Sequence, residues 1–114
     1  MAHYRRAVAL RPAYPEAQAN LGLALATVGR PGEALAPLDE ALRLRPGYAE
    51  AHAYRGLALA ALGRMEEAVD AYRTALRLKP VGSQVHFHLG MALRALGRTA
   101  EAAEELAAAR RPPP

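Results

Sequence analysis

Four histidines, His3, His52, His86 and His88, and two adjacent carboxylate pairs, Glu66 with Glu67 and Glu104 with Glu105, are the side chains of this sequence best suited to acid–base or metal chemistry. Two ligands on one helix share a metal only when they lie three or four residues apart, on one face. His86 and His88 are two apart and point to different faces. His52 and His86 are 34 apart, the period described below, which predicts equivalent positions stacked in one packing column and a structural role. The glutamate pairs begin or line helices, where negative charge complements the helix dipole or simply meets water. With no cysteine there is no thiolate nucleophile, no disulfide and no cysteine-ligated zinc. No G-x-x-x-x-G-K-[ST], H-E-x-x-H or G-x-S-x-G motif occurs. The expectation is a protein that is no enzyme, with no catalytic residue, metal site or cofactor.

The elements that carry these groups are helical. Among 114 residues, alanine is about a quarter and isoleucine is absent, which favours close helix packing over a β-branched sheet core. The length fits one domain able to bury a core without staples. No apolar run reaches the roughly 18 to 20 residues of a membrane helix, and Arg5 and Arg6 stand where a signal peptide needs its apolar stretch. A cytoplasmic chain with no membrane contact is expected. Fourteen of the fifteen basic residues are arginine, and the Ala, Arg, Gly and Pro bias fits a GC-rich bacterial coding sequence.

The sequence repeats itself every 34 residues. Pro12, Pro46, Pro80 and Pro114 keep that step, as do Gly22, Gly56 and Gly90, and again Gly29, Gly63 and Gly97. Ala34, Ala68 and Ala102 form a small-residue column, and Arg30, Arg64 and Arg98 a basic one. Within a period, Leu21, Leu25 and Val28 make one apolar stripe ended by Gly29. A second stripe holds Leu35, Leu38, Ala41, Leu42 and Leu44, and Pro46 closes it. The pattern predicts helices near 2–10, 15–28, 31–44, 49–62, 65–78, 83–96 and 99–110, with a local kink at Pro37. Arg55 occupies the column of Leu21 and Leu89, which leaves its head either reaching past the core to water or meeting a carboxylate.

The run A-x-x-N-L-G-x-A-L-x-x-x-G-R-x-x-E-A from Ala17 to Ala34, followed by A-L-x-L-x-P from Ala41 to Pro46, resembles the tetratricopeptide repeat. The resemblance covers the chain as a half repeat at 1–14, full repeats at 15–48 and 49–82, and a terminal repeat at 83–114. It implies an all-α, right-handed α-solenoid of antiparallel helix pairs, with Gly22 and its equivalents letting the paired helices approach closely. Gln18, His52 and His86 stand where the family often has tryptophan, so packing there is lighter.

The resemblance also implies a concave face lined by the first helix of each repeat. The face columns read Glu16, Ala19, Asn20, Leu23, Ala26 and Thr27, then Glu50, Ala53, Tyr54, Leu57, Ala60 and Ala61, then Gln84, Phe87, His88, Met91, Arg94 and Ala95. Asn20, Leu23, Tyr54, Leu57, Phe87, His88, Met91 and Arg94 are the candidate partner-binding residues. An apolar floor with a few polar handles suits a peptide or helix laid in a groove. The family's carboxylate clamp is not matched, because its positions read Ala19, Leu23, Tyr54, Gln84 and His88. Of the asparagine ladder in similar repeats that precede glycosyltransferase domains only Asn20 remains.

A net charge of +4 raises nucleic acid as a partner, yet the arginines recur at helix ends and turns, dispersed rather than gathered into a phosphate track. Nucleic acid is therefore not expected. Three roles follow: a protein interaction module binding a peptide or helix, a recognition or scaffold segment of a larger enzyme, and a structural repeat forming a homo-oligomer by end-to-end stacking. Tyr4, Val8 and Leu10, which the half repeat leaves short of a neighbour, fit either a fragment of a longer chain or this end-to-end stacking.

Overall fold

Proline at the first turn of a helix leaves no amide unpaired and brings a φ already helical, and Pro15 and Pro31 open the first two helices in this way. The computed structural model describes residues 14–80 and 82–111. Among these the chain forms α1 (Pro15–Thr27), α2 (Pro31–Leu44), α3 (Ala49–Ala61), α4 (Met65–Leu78), α5 (Ser83–Ala95) and α6 (Thr99–Arg110), with no strand. The helix expected over 2–10, and the half repeat to which it belongs, lie outside the described residues.

Each first helix stops one residue sooner than its apolar stripe suggests, because the chain is already turning. Gly29, Gly63 and Gly97 have φ of 83°, 81° and 78°, the left-handed region that glycine enters without a β-carbon clash. The turn closes as a Schellman motif. The amide of Arg30 donates to Leu25 O at 2.8 Å and that of Gly29 to Ala26 O at 3.3 Å, and the same pair of bonds recurs at Arg64 with Gly63 and at Arg98 with Gly97. The arginine that follows each glycine is the N-cap of the second helix, and it forks onto the glutamate three residues later: Arg30 on Glu33, Arg64 on Glu67, Arg98 on Glu101. This explains why an arginine column and a glutamate column recur together.

The helices pair as consecutive antiparallel hairpins, α1 with α2, α3 with α4 and α5 with α6, and each second helix also packs on the next first helix. First helices touch one another, α1 with α3 and α3 with α5, whereas α2, α4 and α6 do not. That asymmetry curves the stack toward the first helices and gives an elongated body of 45 × 31 × 20 Å. The architecture is an α-solenoid.

The core runs through the hairpins rather than around one centre. Leu21, Leu25, Ala34, Leu38 and Ala58 form one cluster, and Leu59, Val69, Tyr72, Leu89 and Leu93 anchor the next. α2 continues through Pro37 from Pro31 to Leu44, so the proline does not interrupt it. Arg55 meets a carboxylate: its Nε donates to Asp39 Oδ1 at 2.9 Å across the α2–α3 contact. The expected stacking of His52 and His86 gives way to separate partners, His52 Nε2 on the Pro46 carbonyl at 3.0 Å and His86 Nδ1 on Glu105 Oε2 at 2.7 Å. One period is a full hairpin of separation, and each imidazole finds a polar atom within its own neighbourhood first.

Candidate functional site

The face formed by α1, α3 and α5 carries the candidate residues because every first helix turns the same side away from its partner. On α1, Asn20 is exposed and Leu23 is half-buried; on α3, Tyr54 and Leu57 are half-buried. On α5, Phe87 and Met91 remain 48% and 41% exposed, and Arg94 lies beside Met91 with Nη1 3.9 Å from Sδ. Large apolar side chains left open on one helix face mark a surface able to bury them against something else.

His88 is the member of this set that the structure draws inward. Its ring stacks on Tyr72 of α4 with centroids 6.1 Å apart and meets the edge of Phe87 at 5.6 Å. Burial pushes its pKa below the ordinary histidine value. It is a neutral aromatic wedge supporting Phe87 rather than a charged handle. Leu57 likewise packs partly against the buried cluster of α3, α4 and α5.

Two clefts open in succession along the face. The first, about 430 Å³, lies between α3, the end of α4 and the start of α5, and includes Glu50, Ala53, Tyr54, Lys79 and Gln84. The second, about 330 Å³, is lined by Gln84, Phe87, Leu106 and Arg110 among others. Ala53 and Phe87 are equivalent residues one period apart, so the two clefts are successive versions of one site. Burial and the nearby Glu50 carboxylate raise the Tyr54 phenol above its ordinary pKa, while Lys79 opposes them.

Pairs of charges that cross from a first helix to the end of its partner line this face, and sequence reasoning missed them. Arg45 reaches Glu16 at 2.5 Å, and one period later Lys79 reaches Glu50 at 3.3 Å. The Arg45 guanidinium beside Glu16 holds that carboxyl below the usual range. The signal was present in the sequence, as an acid at the second residue of α1 and of α3 and a base just past α2 and α4, each pair 34 apart, whereas the third repeat has Gln84 in the acid column.

Several other arginines are engaged with acids: Arg43 with Glu40, Arg73 with Glu101, and the three turn arginines with their glutamates. Among the described residues no three His, Asp or Glu side chains gather as a metal-binding group, and no helix is long and apolar enough to cross a membrane.

An α-solenoid of 34-residue helical hairpins with an open inner face is the architecture of an interaction or scaffold module. The chain belongs to the tetratricopeptide repeat family, whose profile matches residues 2–49, 28–83 and 55–114. No match emerges among curated proteins. Solved structures of MamA are similar. One from Desulfovibrio magneticus RS-1, beginning at its residue 41, superposes with a TM-score of 0.84 at 25% identity, over 93% of this chain and 60% of that one. Another, described as MamA MSR-1 C2, gives 0.78 at 27% identity, over 93% of this chain and 61% of that one. This chain thus spans about three fifths of the length of the chains in those structures.

Proposed function

We propose that the concave face binds an extended segment or a helix of a partner protein and that the module catalyses no reaction. The single observation that carries this reading is that Phe87 and Met91, large apolar side chains still 48% and 41% exposed, share a face with Tyr54 on the neighbouring first helix. The outer face offers a partner much less, because many of its arginines are already tied to glutamates of the same or the adjacent helix. Aromatic anchors near the centre of an interface dominate its energy, about 2 kcal/mol or more on truncation.

Isothermal titration against a captured partner tests the reading. Tyr54→Ala or Phe87→Ala weakens binding strongly, while Arg43→Ala and Arg77→Ala on the outer helices change it little. Dominance of the outer arginines, with a steep salt dependence, would replace the groove by an acidic partner or a nucleic acid.

A further inference from the structure

The second inter-repeat junction on the inner face lacks a large side chain that the first one has. Position 14 is Tyr14 and position 48 is Tyr48, both N-caps of first helices, but the same column at the start of α5 holds Gly82. Where Tyr48 is present, its ring packs against the buried alanines Ala19, Ala41 and Ala51. The Arg45 guanidinium lies 4.9 Å from the ring centroid, in cation–π range, while still paired with Glu16. The phenol lies near Glu16 and Glu50 without a hydrogen bond to Glu16, whose Oε1 accepts from Arg45 and whose Oε2 has no hydrogen-bond partner.

Adding 34 to the three alanines, Arg45 and Glu16 around Tyr48 gives Ala53, Ala75 and Val85, Lys79 and Glu50, while Glu50 itself maps to Gln84. All five line the cleft of about 430 Å³, together with Gly82 itself. An apolar cavity of about 150 Å³ already admits a benzene ring, so the space is sufficient. The wall is apolar at Ala53, Ala75 and Val85 and polar at Tyr54, Ser83 and Gln84, the Lys79 ammonium and Glu50 carboxylate are paired at its rim, and the side chain that fills the equivalent place one repeat earlier is absent. The chain does not supply its own substitute at position 82: a β-carbon there would lie 3.0 Å from Cγ2 of Val85, whereas the equivalent of Val85 beneath Tyr48 is the smaller Ala51.

We propose that this cleft is a receptor for a tyrosyl side chain of a partner polypeptide, seated as Tyr48 is seated in the preceding junction. The ring lies against Ala53, Ala75 and Val85, the Lys79 ammonium covers its face, and Glu50 accepts the phenolic hydrogen, a bond added to the contacts that Tyr48 makes. Tyrosine is therefore preferred to phenylalanine, which cannot add this hydrogen bond to the carboxylate that Lys79 already pairs. The proposal rests on the reading of the concave face given above and names the anchor that the face takes.

The test titrates the blocked tripeptide acetyl-Ala-Tyr-Ala-amide, and its Phe counterpart, into the isotope-labelled full chain, following backbone amide shifts by NMR. Saturable shifts centred on Ala53, Tyr54, Gly82 and Gln84 are expected, with the Phe peptide several-fold weaker. Gly82→Tyr combined with Val85→Ala rebuilds the preceding junction, so it raises the melting temperature and lifts the half-saturation concentration at least tenfold. Ala53→Phe fills the cleft from α3 instead and abolishes binding without altering the α4–α5 loop. Unchanged half-saturation in a folded filled variant, equal response to the Tyr and Phe peptides, or shifts centred on Phe87 and Met91 overturn the inference. If the tripeptide fails while a partner still depends on Phe87, this inference falls and the reading of the face stands; the reverse pattern overturns the reading of the face.

Discussion

A β-carbon on Gly56 would lie 2.6 Å from Cε1 of Tyr72, so the backbone of α3 is in direct contact with a ring of α4. The same column meets Leu38 from Gly22 and Leu106 from Gly90, the latter at 2.8 Å. Contacts of this closeness leave no place for a side chain. Gly56→Leu forces the hairpin apart and costs roughly 1–3 kcal/mol or more. A urea denaturation midpoint equal to that of the parent would show that α3 and α4 are not in contact there.

The pairing of Arg55 with Asp39 decides between the two fates open to an arginine in a leucine column. With side chains 30% and 57% exposed, the pair sits at the edge of the core, where water screens it and such interactions contribute about 1 kcal/mol or less. A double-mutant cycle of Arg55→Ala and Asp39→Ala should give a coupling below about 1 kcal/mol that shrinks as salt is added. Arg55→Leu restores the repeat pattern and should leave stability equal or higher. A large loss in Arg55→Leu would mean that the ion pair, and not the aliphatic stem, holds α3 on α2.

Tyr72 is 1% exposed, and burial pushes its phenol up to about 12 from an ordinary 10. Between those values the unfolded chain has lost a proton that the folded chain retains. The linked stability is therefore complete below pH 10 and declines as pH rises toward 12. Denaturation midpoints measured across this range should fall more steeply for the parent than for Tyr72→Phe, which has no phenol to ionise. Parallel slopes would show that the buried ring is not what resists ionisation.

The architecture was legible in the sequence because its determinants are local and repeated. Gly29 ends α1 by its own φ, Pro46 bars α2 from continuing, and Gly22 and Ala34 reveal close packing by being small at every recurrence. The face was legible only as a set of columns. Which of its members stay open depends on what crosses from the neighbouring hairpin: His88 and Phe87 are adjacent in the chain, yet Tyr72 covers one and leaves the other. The bonds from Arg45 to Glu16 and from Lys79 to Glu50 join residues 29 positions apart, and they depend on the register between a first helix and the far end of its partner, which periodicity alone does not set. The cleft beside Gly82 did have a sequence signature, a tyrosine column broken at its third member, but its meaning required knowing what Tyr48 touches.

α5 itself provides the comparison that separates binding from folding. Phe87 and Leu93 stand on the same helix and are of similar bulk, but Phe87 is 48% exposed and Leu93 is fully buried between α3, α4 and α6. Leu93→Ala removes packed methyl groups and leaves a cavity, which costs about 2–5 kcal/mol. Phe87→Ala gives up contacts made mainly on one side, among them the T-shaped contact with the His88 ring, so its cost should stay near or below about 1 kcal/mol. Thermal or urea unfolding of both variants checks the difference. If Phe87→Ala destabilises the chain as much as Leu93→Ala, the exposed ring is part of the core, and a loss of partner affinity in that variant would report unfolding instead of a missing anchor.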